Sequence, residues 1–448
     1  MDFRNCNRQL DEVVVYNQTA LQPTIGRYAD RQMDGDTIHY FRTLSAALRE
    51  AMLDTPVVCL LGPRQCGKTT LAMSLEKDRA YITLDEDSYY RTATADPDGF
   101  VARLPARVIL DEVQRVPALL TAIKRAVDRD RRPGRFLLTG SANLLLLPGV
   151  SESLAGRMEV IPLQPLTESE KERNAGDFLR NFLDGGIRES MMVGETVDFS
   201  PDLPHRVVSG GYPEPLTRSS ARARQWHRQY LKSIIERDVQ DIAQVKDGHE
   251  LGRLLEMLAL RTGSLLNVTS LSKELGLHRG TVDHYLAILE RLFLIRSLSS
   301  WHRHPAKRLI KTPKIHLVDS GLAATLSDLS AGDWLGRRDR MGRLLETFVV
   351  QQIHAQAAWT DPDLRFWHYR DKDQVEVDLV ITRGDKVWGI EVKASRSVDR
   401  QDGRGLDRLA DQCGKDFQGG CVLYDGRDVL PIGGSSHPAV PLRKLWDL

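Results

Sequence analysis

Cysteine is scarce in this sequence. Its 448 residues include five cysteines, which are odd in number, scattered along the chain and free of any CxxC pair. This usage is typical of reduced thiols in a cytosolic protein, because disulfide frameworks and structural zinc sites both need paired or clustered cysteines. The pattern therefore favours neither a disulfide-stapled fold nor a structural zinc site.

A net excess of charge and a long apolar run are also absent. The chain has 62 Lys and Arg against 61 Asp and Glu, so its formal net charge is +1. Any contact with nucleic acid must then come from a local basic patch, since no global field attracts a polyanion. No segment approaches the roughly 18 consecutive apolar residues that span a bilayer, and the first residues contain no apolar signal core. We expect a soluble, cytoplasmic protein with no membrane contact.

A strand, a phosphate-binding loop and a helix are predicted from Val57 onward. The apolar run VVCLL breaks at Gly62, and a helical pattern follows Gly67. The spacing G-x-x-x-x-G-K-T is that of a P-loop, whose backbone N–H groups and helix N-terminus face the phosphates of a nucleotide. Lys68 is expected near the β- and γ-phosphates, and Thr69 on Mg²⁺. The predicted nucleotide-binding residues are Gly62, Pro63, Arg64, Gln65, Cys66, Gly67, Lys68, Thr69 and Thr70.

An acidic strand end follows in RVILDEVQ. Three apolar residues lead directly into Asp111 and Glu112. In a Walker B motif the first carboxylate holds Mg²⁺ through water and the second polarises the attacking water. A strand that ends in carboxylates is common, and the P-loop that precedes this one is what favours the nucleotide interpretation. We therefore assign Mg²⁺ binding to Asp111 and catalysis to Glu112.

Two further candidates follow along the chain. The strand in RFLLTGSAN ends in small polar residues, which makes Ser141 or Asn143 a candidate phosphate sensor; an ordinary strand-to-helix turn with an N-cap is the alternative. Arg157 in SLAGR is a candidate sensor of the γ-phosphate or an arginine finger across a subunit interface, and a solvated arginine is the alternative. Alternating strands and helices predict a parallel α/β sheet with nucleotide at its carboxyl edge.

A helix–turn–helix is predicted in NVTSLSKELGLHRGTVDHYLAILERLFLI. The first helix covers 270–275, Gly276 permits the turn, and a second helix runs over 279–289 before a wing strand over 293–301. A DNA-binding version would present Arg279, Thr281, His284 and Arg291 to the major groove, with the basic run 302–311 on phosphates. A purely structural or protein-contact role is the alternative.

The last segment contains a second set of candidate residues. A helix from Gly342 precedes FWHYRDKDQVEVDLVITRGDKVWGIEVKAS, in which two alternating strands are predicted. Asp378 falls on the first strand, and Glu391 and Lys393 lie at i, i+2 and so on one face of the second. This arrangement resembles the PD-(D/E)xK nuclease fold, and the resemblance implies that Asp378 and Glu391, with Glu346, hold Mg²⁺ while Lys393 steadies a scissile phosphate. An inert scaffold that retains the fold without cleavage is the alternative.

Together these motifs resemble the bacterial and archaeal AAA-type ATPases that carry a C-terminal domain of unassigned function. The resemblance rests on GPRQCGKTTL, VILDEVQ, LLTGSAN, SLAGR, GGYPEPL, YLKSIIERDVQDI, LVDSGL and IEVKAS, and it covers the chain from about Tyr40 onward. It implies an ATP-binding AAA core, a winged-helix segment and a nuclease-like terminal fold. Cys66 stands where the family more often has valine; binding should survive this change, but the thiol is expected to expose the site to oxidation.

We therefore predict an α/β protein of five segments. These are an extension (1–39), the ATPase core (40–170), a connector and helical lid (171–245), a winged-helix domain (246–312) and a nuclease-like domain (313–448). The predicted function is hydrolysis of ATP with Mg²⁺, coupled to conformational change in the C-terminal half. The alternatives are a nucleotide-gated DNA nuclease and a slow ATP-dependent switch that holds a protein partner. Oligomerisation stays open.

Overall fold

The chain forms two compact units, 1–163 and 164–448. The computed structural model describes residues 40–76, 78–141, 156–185, 202–238, 248–304 and 312–447, together with three short strands ahead of residue 40. Within these residues no helix is both long enough and apolar enough to cross a membrane. The three short strands pair antiparallel in the order β1-β3-β2 and are β1 (Val14–Tyr16), β2 (Met33–Asp34) and β3 (Thr37–His39).

A five-stranded parallel sheet forms the centre of the first unit. Its strand order is β5-β6-β7-β4-β8, and every neighbouring pair is parallel. The strands are β4 (Val57–Leu61), β5 (Ala80–Thr83), β6 (Val108–Asp111), β7 (Phe136–Gly140) and β8 (Met158–Pro162). The helices are α1 (Ser45–Asp54), α2 (Lys68–Leu75), α3 (Asp87–Ala95), α4 (Pro97–Ala102) and α5 (Ala118–Arg129), with a 3₁₀ turn at Val113–Arg115.

The burial of β4, β6 and β7 explains why these strands appear as continuous apolar runs in the sequence. Every residue of β4, β6 and β7 is buried, and apart from Asp111 and Thr139 at the strand ends their side chains are apolar on both faces rather than alternating. The predicted parallel α/β sheet is confirmed.

The second unit begins with helices and a small antiparallel sheet. Its first elements are α6 (Glu168–Glu172), α7 (Phe178–Leu183), α8 (Leu203–Ser209), α9 (Ser220–Ser233), a π-helical turn (Ile234–Asp238) and α10 (Gly248–Leu260). Next come β9 (Ser264–Leu265), α11 (Val268–Leu275), α12 (Arg279–Arg291), β10 (Ile295–Leu298) and β11 (Lys314–Leu317). The three strands pair antiparallel in the order β10-β11-β9.

Helices α11 and α12 lie where the sequence predicts the helix–turn–helix. Gly276 separates them with a φ of 70°, the left-handed value that ends a helix readily. Helix α12 buries Val282, Tyr285 and Leu289, while Arg279 and His284 are exposed. Strand β10 is shorter than the predicted 293–301. Part of the basic run, 305–311, lies outside the described residues.

A six-stranded mixed sheet closes the second unit. Its strand order is β12-β13-β14-β15-β17-β16. The strands are β12 (Arg365–Arg370), β13 (Glu376–Arg383), β14 (Lys386–Lys393), β15 (Phe417–Tyr424), β16 (Leu430–Pro431) and β17 (Pro438–Pro441). The helices are α13 (Ser320–Leu326), α14 (Arg338–Thr360), α15 (Arg404–Cys413) and α16 (Lys444–Asp447). Strands β12, β13 and β14 pair antiparallel, and β14 pairs parallel with β15 after the α15 crossover.

The prediction of two strands between Phe366 and Ser395 is wrong, because β12, β13 and β14 all lie in this stretch. A tight turn separates β12 from β13. The Asp371 carboxylate accepts hydrogen bonds from the backbone N–H groups of Asp373 (2.8 Å) and Val375 (2.9 Å). An aspartate that caps its own turn in this way reverses the chain without glycine or proline.

Two motifs that carried no assigned role in the sequence meet inside the second unit. The Asp319 carboxylate of LVDSGL is fully buried and accepts a hydrogen bond from the backbone N–H of Gly211 in GGYPEPL at 2.6 Å. It also caps α13 through the Leu322 N–H at 2.9 Å. We call this arrangement the Asp319 clasp. A buried carboxylate needs such donors, so the two motifs are structural partners.

Candidate functional site

The loop between β4 and α2 forms a tight cradle. A Cβ atom at Gly62 would overlap the carbonyl oxygen of Leu163, so only glycine fits there. Gly67 has a φ of 101°, a value that residues with a side chain rarely adopt. Both glycines of the motif are thus required by the backbone that leads into the N-terminus of α2. Such a loop directs N–H groups toward a phosphate.

Lys68 lies over this loop. Its side chain is buried, and Nζ donates hydrogen bonds to the carbonyl oxygens of Gly62 (3.0 Å) and Pro63 (2.8 Å). The ammonium group is therefore held at the loop by neutral acceptors. An anionic phosphate oxygen makes a stronger acceptor than these carbonyls.

Cys66 does not expose the loop to oxidation, contrary to the sequence expectation. The residue is fully buried and its Sγ lies 3.7 Å from the carbonyl oxygen of Leu163. Burial raises the pKa of the thiol, although the charges of Lys68 and Arg42 oppose this effect. A buried thiol with a raised pKa is chemically inert.

Asp111 joins the loop to the end of β6. Its Oδ1 accepts a hydrogen bond from Thr69 Oγ1 at 2.9 Å and another from the Thr139 hydroxyl, while Oδ2 accepts one from the Tyr81 hydroxyl at 2.8 Å. The loop threonine and the first acid of the pair are thus brought together as the sequence predicts. Burial, followed by the hydrogen bond to Asp111, raises the pKa of Tyr81.

Glu112 is held beside Asp111 in an unusual conformation. Its φ is 59°, in the left-handed region, which costs a non-glycine residue about 1–3 kcal/mol. Its N–H donates to Thr139 Oγ1 at 3.2 Å, and its Oε2 accepts hydrogen bonds from Ser141 Oγ at 2.8 Å and from the Gln114 amide. Strain of this kind is retained where it aims a side chain at a site.

Of the two predicted phosphate sensors, Ser141 and Asn143, the structure describes only Ser141. Ser141 lies in the Glu112 cluster, where it also accepts a hydrogen bond from Gln114 at 2.8 Å. Asn143 lies outside the described residues. The sequence did not reveal three other members of the site, Gln114, Tyr81 and Thr139. Each is a polar residue at or beside a strand, and its spatial neighbours depend on the order of the strands in the sheet.

Arg157 is not near the cradle within its own chain. It precedes β8, whose first residue pairs with Val57, the first residue of β4. The cradle follows the last residue of β4, about 13 Å farther along the strand. The Arg157 guanidinium forms an ion pair with Asp128 instead. The prediction that Arg157 senses a γ-phosphate in its own subunit is therefore wrong. Its role as an arginine finger across a subunit interface stays a prediction.

The oxygen atoms at this site fit Mg²⁺. Thr69 and Asp111 are hard donors held 2.9 Å apart, and Mg²⁺ in nucleotide sites takes one or two protein ligands, phosphate oxygens and waters. Over the described part of the chain there is no group of three or more His, Cys, Asp or Glu side chains suited to hold a metal.

A second candidate site lies in the second unit. Glu346, Asp378, Glu391 and Lys393 all line one cleft of about 380 Å³. Lys314 Nζ bridges the first two, at 2.9 Å from Glu346 Oε1 and 3.0 Å from Asp378 Oδ1. Lys393 Nζ lies 3.0 Å from Glu391 Oε1. The structure therefore brings together all four predicted residues and adds a lysine that the sequence analysis missed.

Burial controls the charges of this cluster. Burial, with the nearby charge of Asp378, raises the pKa of Glu391 to about 8 and that of Glu346 well above its usual range. Burial alone would lower the pKa of Lys314, but the carboxylates of Asp378 and Glu346 outweigh it and raise that pKa. The neighbouring carboxylates therefore favour the charged form of Lys314.

Three family models match the chain. Residues 54–171 match a model described as an AAA domain, and residues 200–333 and 341–445 match two domains of unknown function, DUF8612 and DUF4143. A similar solved structure is the Walker-type ATPase PABY2304 of Pyrococcus abyssi, at 15% identity and a TM-score of 0.36, covering 63% of this chain and 94% of that one.

Two bacterial relatives are similar over most of the chain. An uncharacterized protein of Haemophilus influenzae is 23% identical over 297 residues, covering 63% of this chain and 64% of that protein. An uncharacterized protein of Mycobacterium tuberculosis is 31% identical over 353 residues, covering 79% of this chain and 73% of that protein. The chain therefore belongs to the same family as this mycobacterial protein, and its first unit contains an AAA domain.

Proposed function

We propose that this protein is an AAA-type ATPase that binds ATP with Mg²⁺ at the cradle and hydrolyses it to ADP and phosphate. The observation that carries the proposal is the hydrogen bond of 2.9 Å between Thr69 and Asp111, beside the Lys68 ammonium group. A phosphate-binding cation and a magnesium ligand from the start of α2 thereby meet a second magnesium ligand from the end of β6, at one edge of a parallel sheet. Ligands bind at this edge in α/β folds.

Each group has a distinct task in the proposed reaction. Lys68 exchanges its two carbonyl acceptors for phosphate oxygens, and Thr69 and Asp111 would hold the metal. Mg²⁺ held there would neutralise charge on the phosphate oxygens. Glu112 accepts the proton of a water molecule that attacks the γ-phosphorus, and the bond from that phosphorus to the bridging oxygen breaks. Ser141 and Gln114 fix the Glu112 carboxylate through their hydrogen bonds.

Replacing Thr69 by valine tests the metal ligand. Thr69→Val keeps the shape of the side chain but removes the hydroxyl, and we expect the Mg²⁺ concentration for half-maximal hydrolysis to rise about 10- to 100-fold. The measurement is the ATPase rate against Mg²⁺ concentration. Thr92→Val makes the same change at an exposed helix position in the same unit and should leave this dependence unaltered. An unchanged Mg²⁺ dependence in Thr69→Val would contradict the assignment.

We further propose that the second unit contains a winged helix and a nuclease-like fold that respond to the nucleotide. The element order α10, β9, α11, α12, β10, β11 supports the first, and α14, β12, β13, β14, α15, β15 supports the second. The candidate DNA contacts on α12 are Arg279, Thr281, His284 and Arg291, of which Arg279 and His284 are exposed. Measuring the ATPase rate with and without DNA, while recording the native mass, tests both DNA contact and oligomerisation.

The rival function is a Mg²⁺-dependent DNA nuclease gated by nucleotide. The observation in its favour is that the four predicted residues line one cleft. It requires that the purified protein nick supercoiled plasmid with Mg²⁺ or Mn²⁺ and that Asp378→Ala abolish the nicking. We expect the plasmid to stay intact with either metal, which would exclude the rival.

A regulatory switch is a further alternative. Slow hydrolysis together with nucleotide-dependent binding of a protein partner would favour it over a fast, DNA-stimulated ATPase.

A further inference from the structure

We propose that the Lys314 ammonium group is a built-in cation beside the cleft in the second unit, standing between Glu346 and Asp378 where the proposed nuclease-like centre would need a divalent metal. The centre is then complete without a metal ion. The inference concerns only the second unit and is independent of ATP hydrolysis in the first.

Lys314 is surrounded by carboxylates. Its side chain is 4% exposed, and Nζ lies 2.9 Å from Glu346 Oε1, 3.0 Å from Asp378 Oδ1 and 3.6 Å from Glu376 Oε2. The first two contacts are hydrogen bonds, and the third is a longer ion pair. One of these carboxylates comes from α14 and two come from β13.

The other oxygen atoms of the cluster are largely engaged as well. Asp378 Oδ2 accepts the backbone N–H of Val392 at 3.0 Å, and Glu391 Oε1 pairs with Lys393 at 3.0 Å. Glu391 Oε2 is buried without a hydrogen-bond partner. One such oxygen does not make a magnesium site, because Mg²⁺ demands near-octahedral coordination by six oxygens.

Electrostatic repulsion also disfavours a metal ion at this position. A divalent ion that shared the oxygens of Glu346 and Asp378 would lie directly against the Lys314 charge in a buried site, where repulsion between like charges is poorly screened. Binding would require Lys314 to leave. Its backbone is held on both sides, because β11 pairs with β10 and with β9. Lys314 is therefore a fixed part of the centre and not a mobile surface side chain.

Lys314 also connects two parts of the second unit. Strand β11 belongs to the small sheet beside α11 and α12, whereas Glu346 and Asp378 belong to α14 and the terminal sheet. The ammonium group thus links the two sheets of the second unit by a buried ion pair. Loss of the lysine would leave one buried and one partly buried carboxylate without their shared cation, a state that attracts another cation.

The test is to count Mn²⁺ ions bound to the full chain by electron paramagnetic resonance. All variants carry Asp111→Asn, which removes the metal ligand of the first unit. With Lys314 present we expect no bound Mn²⁺. Lys314→Met should bind one Mn²⁺ per chain, and adding Asp378→Asn should weaken that binding at least about 10-fold. The matched control Lys386→Met removes an exposed lysine of β14 and should bind none.

Two results would overturn the proposal. One is Mn²⁺ binding by the protein that retains Lys314, provided that Asp378→Asn removes it. The other is a folded Lys314→Met protein, checked by circular dichroism, that binds no Mn²⁺. If the methionine variant fails to fold, Lys314→Gln replaces it, because glutamine removes the charge and keeps a polar group for the carboxylates.

Discussion

Glu112→Gln is expected to bind ATP normally and to hydrolyse it hardly at all. An amide keeps the oxygen that accepts hydrogen bonds from Ser141 and Gln114, so the side chain should stay in place. It cannot accept a proton from water. Loss of a positioned general base lowers a rate by about 10²- to 10⁴-fold, and we expect a decrease of this size in kcat. The dissociation constant for ATP should change little, since Glu112 is not assigned to binding.

Single-turnover hydrolysis and isothermal titration separate the two effects. The control is Glu50→Gln, the same change at an exposed position of α1, which should match the wild type in both measurements. A normal kcat in Glu112→Gln would remove Glu112 from the reaction while leaving the binding assignment intact.

Lys68→Ala should abolish tight nucleotide binding. The ammonium group is buried at the loop and would donate charge-assisted hydrogen bonds to phosphate, each worth about 1.5–3 kcal/mol. Losing about 3 kcal/mol raises the dissociation constant for ATP about 100-fold. Isothermal titration gives this value directly. The unfolding temperature of the variant should be measured as well, because the carbonyl oxygens of Gly62 and Pro63 lose their hydrogen-bond donor in it.

Lys124→Ala is the control for this charge change, since Lys124 is a partly exposed residue of α5 outside the cradle. Unchanged ATP affinity in a folded Lys68→Ala protein would refute the nucleotide site as a whole.

Local sequence signals predicted much of the first unit. The apolar runs of β4, β6 and β7 are continuous because these strands are buried, and the glycines of the loop are required by the backbone itself. Asp111 was found because an acidic pair after such a run is a local pattern. These features involve residues that are close together in the chain, so they could be recognised without the fold.

The contacts that were missed depend on the order and direction of strands. Thr139 and Tyr81 reach Asp111 only because β7 and β5 flank β6. Arg157 is at the wrong edge because β8 runs parallel to β4. Lys314 meets carboxylates that lie 32 and 64 positions later in the chain, and no spacing rule connects them.

The Asp319 clasp limits how the protein can be divided for experiments. Its carboxylate accepts the N–H of Gly211, a residue far earlier in the chain, at the base of α13. Any shortened version that stops ahead of Asp319 leaves the buried N–H of Gly211 without its acceptor. This loss alone lowers the free energy of unfolding by about 1–3 kcal/mol. A fragment that keeps the second unit intact should therefore begin near Gln164 and run through Trp446 as one piece.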